Sequence, residues 1–241
     1  MRNKLFAFCA ALLTSLAMSF NANSAQKEDA TLIPEITEAY EAVSIGGEFR
    51  VIYCSPSDTL KIVAKDKVLN GVECLVEDGT LVVRYREGKA FNTIMGGRSP
   101  IVYIPANPDI RSFRLSGTTR MECAHPIVQE SLHIKMSGAS RVIGEVKTKH
   151  LDIYCAGTVN VTLTGSSDTT DIRIDGASRV AVGEGFECNS ADLDINGAGI
   201  VRINCVGTIS GKIAGSSVVR YLGEPEVKIE TNGLASITRI D

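Results

Sequence analysis

Seven glycines, at positions 117, 138, 157, 176, 197, 215 and 233, recur at intervals of 21, 19, 19, 21, 18 and 18 residues. Their surroundings recur with them: MSGASR at 136–141 returns as IDGASR at 174–179 and, more loosely, as INGAGI at 195–200. Two residues before the glycines stand Leu115, Met136, Cys155, Ile174, Ile195, Ile213 and Thr231. Four before them stand Phe113, Ile134, Ile153, Ile172, Leu193, Gly211 and Ile229. Four residues beyond, the alternation resumes with Met121, Val142, Val161, Val180, Val201, Val219 and Ile237. Period-two alternation signals strands with one buried face. A glycine between two such runs marks a bend that needs positive φ or a close backbone approach.

A unit of about 19 residues cannot bury its apolar face alone, whereas stacked units join their faces into one core. No helical periodicity interrupts the region, and the connections are too short for βαβ crossovers. The expected fold is therefore all-β, a single-stranded parallel β-helix of about 19 residues per coil over residues 110–241. Apolar columns would become ladders with neighbours roughly 4.8 Å apart. The column two residues after the glycine (Thr119, Ser140, Val159, Ser178, Gly199, Ser217, Ala235) is small enough for a tight corner. An antiparallel sandwich or prism of hairpins is the alternative, because period two does not fix strand direction.

Residues 26–109 break the phase. Strand candidates are AVSIGGEFRVIYC (42–54), with a bend at Gly46-Gly47, then TLKIVAK (59–65), GVECLVEDGTLVVRYR (71–86) and IVYIPA (101–106). Asp78-Gly79 suits a hairpin turn with positive φ. These pieces predict an irregular antiparallel β portion that caps the solenoid, whose open end would otherwise present unpaired backbone. The stretch REGKAFNTIMGGRSP (86–100) reads as a connecting loop, with ligand binding as the alternative.

Arg2 and Lys4 precede an apolar run from Leu5 to Phe20, and the polar NANSAQKED follows. That order reads as a secretory signal peptide over residues 1–25, with a membrane-anchored N-terminus as the alternative. Cys9 follows Phe8 and makes a poor lipidation site. No later run approaches the roughly 18 apolar residues that span a bilayer, so no transmembrane span is expected after cleavage. An exported chain would work in the periplasm or at the cell surface.

Losing Arg2 and Lys4 takes the formal charge from −3 to −5. With no basic run either, nothing points to nucleic acid. Of the six remaining cysteines none shows CxxC spacing, which leaves no redox motif or cysteine zinc site. Cys188 and Cys205 fall at nearly matching positions of adjacent coils and are a candidate disulfide; Cys54 and Cys74 are a weaker pair. Cys155 falls in an inward column and reads as a small buried hydrophobe.

Five residues before successive glycines come His133, Asp152, Asp171 and Asp192. Three neighbouring carboxylates could collect a hard cation such as calcium or serve glycan cleavage by a lyase or hydrolase. Lys135, Arg173 and Lys212, one strand step away, make a solvated, salt-bridged face the plainer reading. Arg120, Arg141 and Arg179 form another outward column, interrupted at Asn160, again a solvated face with anion binding as the alternative. The histidines lack metal-ligand spacing. No GxSxG elbow is present.

The leader, VSIGGEFRVIY (43–53), the DGTLVVRY hairpin, IVYIPANPDIRSFRLSGTTR (101–120) and the MSGASR/IDGASR coils, taken in order, resemble the exported bacterial family of auto-transporter adhesins, head GIN domain. INGAG at 195–199 carries the Gly, Ile and Asn that name the domain. The resemblance runs from about residue 40 onward. It implies a β-solenoid with an irregular N-terminal portion, export, and no catalytic residues to carry over. The expected role is noncatalytic: binding of an envelope or extracellular glycan or protein, or scaffolding, with self-association through an open solenoid end as a further option.

Overall fold

The structure is a computed structural model that describes residues 29–87 and 98–241. The expected leader lies outside them, as does most of the 86–100 connection. The strands are β1 (Ala30–Leu32), β2 (Ala42–Gly47), β3 (Arg50–Cys54) and β4 (Lys61–Ala64). A single helical turn, α1 (Asp66–Leu69), leads to β5 (Val72–Glu77), β6 (Thr80–Tyr85) and β7 (Ile101–Pro105). Then come β8 (Ser112–Gly117), β9 (Arg120–Cys123), β10 (Ile127–Gly138) and β11 (Arg141–Gly157). Last are β12 (Asn160–Gly176), β13 (Arg179–Val182), β14 (Phe186–Gly197), β15 (Ile200–Leu222) and β16 (Glu226–Arg239).

From β8 onward every pairing is parallel, so the repeats form a β-helix and not hairpins. Register keeps the apolar columns intact. Val142 pairs Val161, Val161 pairs Val180 and Val180 pairs Val201, all at most 1% exposed. On the other arm Ile153, Ile172 and Leu193 form the same kind of rung. These ladders make one continuous core along the axis.

The seven repeat glycines all have positive φ. At Gly138, with φ +76°, an added Cβ would lie 2.6 Å from the carbonyl oxygen of Gly117 one coil below. Each turn therefore sits on the turn beneath it, and a side chain would force the coils apart. The small-residue column completes the corner. Thr119, Ser140, Ser178 and Ser217 donate their hydroxyls to the glycine oxygens of the preceding coil, at 3.1–3.3 Å. Where a coil has no hydroxyl at this position, the next coil supplies one. The N–H of Val159 donates to Ser178 Oγ and that of Gly199 to Ser217 Oγ.

The uneven spacing also has a local cause. The two 21-residue repeats hold their extra residues between β9 and β10, around Ala124–Pro126, and between β13 and β14, around Gly183–Gly185. A bulge between Cys188 and Ser190 absorbs the shift in the next coil. A second corner lies where pairing skips Glu130, Lys149, Asp168 and Asn189.

The N-terminal portion is antiparallel where β1 pairs β4, β4 pairs β7 and β5 pairs β6. The β5–β6 turn has positive φ at Asp78 and Gly79, as the sequence requires. Its other strands are already rungs of the solenoid. β2 lies parallel between β6 and β8, and β3 lies parallel between β7 and β9. Gly47 accordingly stacks under Gly117 as the first member of the glycine ladder. Most aromatic residues of the core gather at this end: Phe49 stacks on Tyr85 at 4.7 Å, and Tyr53 meets Phe113 edge-on at 5.7 Å. Phe186 is buried farther along, on β14.

Candidate functional site

A parallel β-helix turns outward positions into columns, so its candidate sites are read rung by rung. The column five residues before the glycines is assembled as the sequence requires: His133 pairs Asp152, Asp152 pairs Asp171, and Asp171 pairs Asp192. His133 Nδ1 lies 3.2 Å from Asp152 Oδ2, and both side chains are about half exposed. Asp192 accepts a hydrogen bond from Ser210 Oγ at 2.8 Å. Asp171, between two like charges, has its carboxyl pushed above the usual carboxylate range, by burial first and then by Asp192 and Asp152.

The neighbouring cations do not neutralise these aspartates as expected. They pair along their own column, three residues before the glycines. Arg173 meets Asp194 at 3.4 Å, Lys212 meets Glu230 at 3.6 Å, and Lys135 lies over the Tyr154 ring. The reason is geometric. Side chains in register on adjacent coils stand roughly 4.8 Å apart, whereas positions two residues apart along one strand share a face but stand roughly 6.6 Å apart. Among the described residues no three His, Cys, Asp or Glu side chains are grouped to hold a metal ion. Near this face, Asp192, Asp194, Lys212, Lys228 and Glu230 line a shallow hollow of about 300 Å³.

The column three residues after the glycines behaves differently. Arg50, Arg120 and Arg141 are consecutive rungs, followed by Asn160 and Arg179. The sequence suggests that Asn160 breaks this column. In the structure it is one rung of a continuous groove of about 450 Å³, which Arg120, Arg141 and Arg179 also line. Beyond Arg179 the position passes to Ile200.

All six described cysteines are free thiols. Cys188 and Cys205 are direct register partners on adjacent coils, both buried. Cys188 Sγ donates to Asn204 O and Cys205 Sγ to Asn189 O, each at 3.4 Å. The thiol of Cys188 is raised by its hydrogen bond with Cys205 and by burial. Cys54 and Cys74 belong to different arms: Cys54 on β3 donates to Ile104 O, while Cys74 on β5 pairs with Val83. Cys155 is fully buried, and burial pushes its thiol up to about 12. Among the described residues no helix is long and apolar enough to cross a membrane.

The family model described as "Putative auto-transporter adhesin, head GIN domain" matches residues 39–225. Solved structures share the fold. A "putative adhesin" from Bacteroides fragilis superposes with a TM-score of 0.76 at 17% identity, over 89% of this chain and 98% of that one. A "putative lipid binding protein" from Parabacteroides distasonis gives 0.64 at 14% identity, over 90% and 98%. A "putative adhesin" from Parabacteroides merdae gives 0.59 at 14% identity, over 89% and 96%. No curated protein matches the sequence.

Proposed function

The chain belongs to the auto-transporter adhesin, head GIN domain, family, and from that premise we propose that it is a noncatalytic envelope or extracellular protein that presents a rigid β-helical face for binding. The observation that carries this reading is the register of the outward columns. Glycine turns seated on one another and hydroxyls tied between coils hold each exposed side chain at a fixed spacing from its equivalents. Such a lattice matches a repeating partner better than a single small molecule, because its charges and hydroxyls recur at one pitch along the axis. The family's adhesin description points the same way.

Binding of the purified protein to washed bacterial envelope fractions, separated into glycan and protein parts, tests the reading. Saturable binding with no glycan turnover is the expected result. Turnover that vanishes in Asp171→Asn and Asp192→Asn, without saturable binding, would replace it with glycan processing.

A further inference from the structure

Resting on that reading, we propose that the binding face is the arginine column beside the glycine turns, and that its ligand is a linear acidic polysaccharide laid along the solenoid axis. Its carboxylates would be held by Arg120, Arg141 and Arg179.

Three observations carry the assignment. Register makes Arg120 and Arg141 direct partners, with Arg179 two rungs beyond Arg141 across Asn160. The coil spacing then puts the guanidinium stems roughly 4.8 Å and roughly 9.6 Å apart. All three side chains are exposed and line one open groove. They are also unneutralised. Many of the other cations on the coils are paired with acids: Arg173 with Asp194, Lys212 with Glu230, Arg202 with Glu184, Lys149 with Glu130. Arg114 and Arg220, which also make no ion pair among the described residues, do not share a column with a second bare arginine. Glu122, one strand step from Arg120, is taken by Arg50 at 3.0 Å. Among the described residues Arg120, Arg141 and Arg179 make no ion pair. A row of like charges at coil pitch is thus left bare on a protein of net charge −3, where self-repulsion falls when an anionic chain settles between the guanidinium groups.

The groove selects the class of anion. Guanidinium forks bind carboxylates through two parallel hydrogen bonds. The floor beside them is made of Ala177, Ala198 and their equivalents, which leaves room for a chain to lie flat. Asn160 and Thr158, also on the groove, supply an amide and a hydroxyl for sugar hydroxyls. No aromatic side chain lines the groove on which nucleic-acid bases could stack. Its one exposed bulky apolar side chain, Ile200 at one end, is too little to anchor a protein in a lipid surface.

Calorimetric titration of the full-length protein with polygalacturonate, at about 0.05 M and about 0.5 M salt, tests the proposal. Dextran serves as the neutral control and phosphatidylglycerol vesicles as the lipid arm. Saturable binding that weakens with salt and is absent for dextran is expected. The triple variant R120Q/R141Q/R179Q should bind about tenfold more weakly or worse, with unchanged melting. The triple lysine variant, which keeps charge but not the fork, should fall between. Polygalacturonate binding that survives in the glutamine variant overturns the assignment. So does vesicle binding through these arginines that polygalacturonate does not displace. If the wild type ignores polygalacturonate but still binds envelope fractions saturably, the arginine column fails and the wider reading stands. If it binds neither, both fall.

Discussion

At the scale of single residues, the corner hydroxyls hold the coils together in a way that apolar packing does not. Ser178 donates to Gly157 O at 3.1 Å and accepts the N–H of Val159 at 3.3 Å. Without it, Gly157 O keeps the N–H of Ala177 at 3.0 Å, but the N–H of Val159 loses its partner in a buried corner. Ser178→Ala should therefore cost about 1–3 kcal/mol, measured as a lower urea midpoint with an unchanged slope. The need for a small residue at this position was legible, since the column repeats with its glycine. The bond between coils was not, because the partner of Ser178 lies 19 residues away at Val159 and 21 away at Gly157.

At the scale of elements, the in-register columns make like charges neighbours, and Asp171 shows the effect. Its carboxyl titrates higher in the folded protein than in the unfolded chain, through burial first and then Asp192 and Asp152. The charged form is therefore disfavoured by folding. That penalty is present above the folded pKa and fades as pH falls toward the unfolded value. Asp171→Asn should raise stability at neutral pH by a few tenths of a kcal/mol, since the site is largely exposed. The gain should disappear near pH 3, where both side chains are uncharged, so denaturation at the two pH values separates this from a packing effect. The same register brings Cys188 and Cys205 together. Neighbouring parallel strands stand roughly 4.8 Å apart, inside the range a disulfide spans. Oxidised glutathione, itself reduced to two thiols, should remove two hydrogens and join them; peptide mapping by mass would then find the two peptides linked. Sequence spacing located the aspartate column because it lies in the regular repeats. It brought Cys188 and Cys205 within one residue of phase, the difference being taken up by the bulge between Cys188 and Ser190. It could not locate the rungs formed by β2, β3, β6 and β7. Their order along the chain differs from their order along the axis, and a constant period detects only coils that follow one another.

At the scale of the whole molecule, stability is built from each coil and its two neighbours. β16 pairs only with β15, and most of its residues are exposed, whereas β11, β12 and β14 have partners on both sides. Hydrogen exchange should therefore be slowest for the amides of β11 and β12 and fastest within the solenoid for those of β16. Equal protection along the axis would mean that the coils open only together. The N-terminal threading gives this molecule a direction. The strands β2 and β3 come early in the chain, yet they lie between β6–β7 on one side and β8–β9 on the other. A chain emerging N-terminus first cannot finish its first three rungs until Cys123, the end of β9, has appeared. After that each coil closes on a finished one. The number of coils can therefore change by whole repeats during evolution, lengthening or shortening the face that binds, while the interlocked start admits no such insertion.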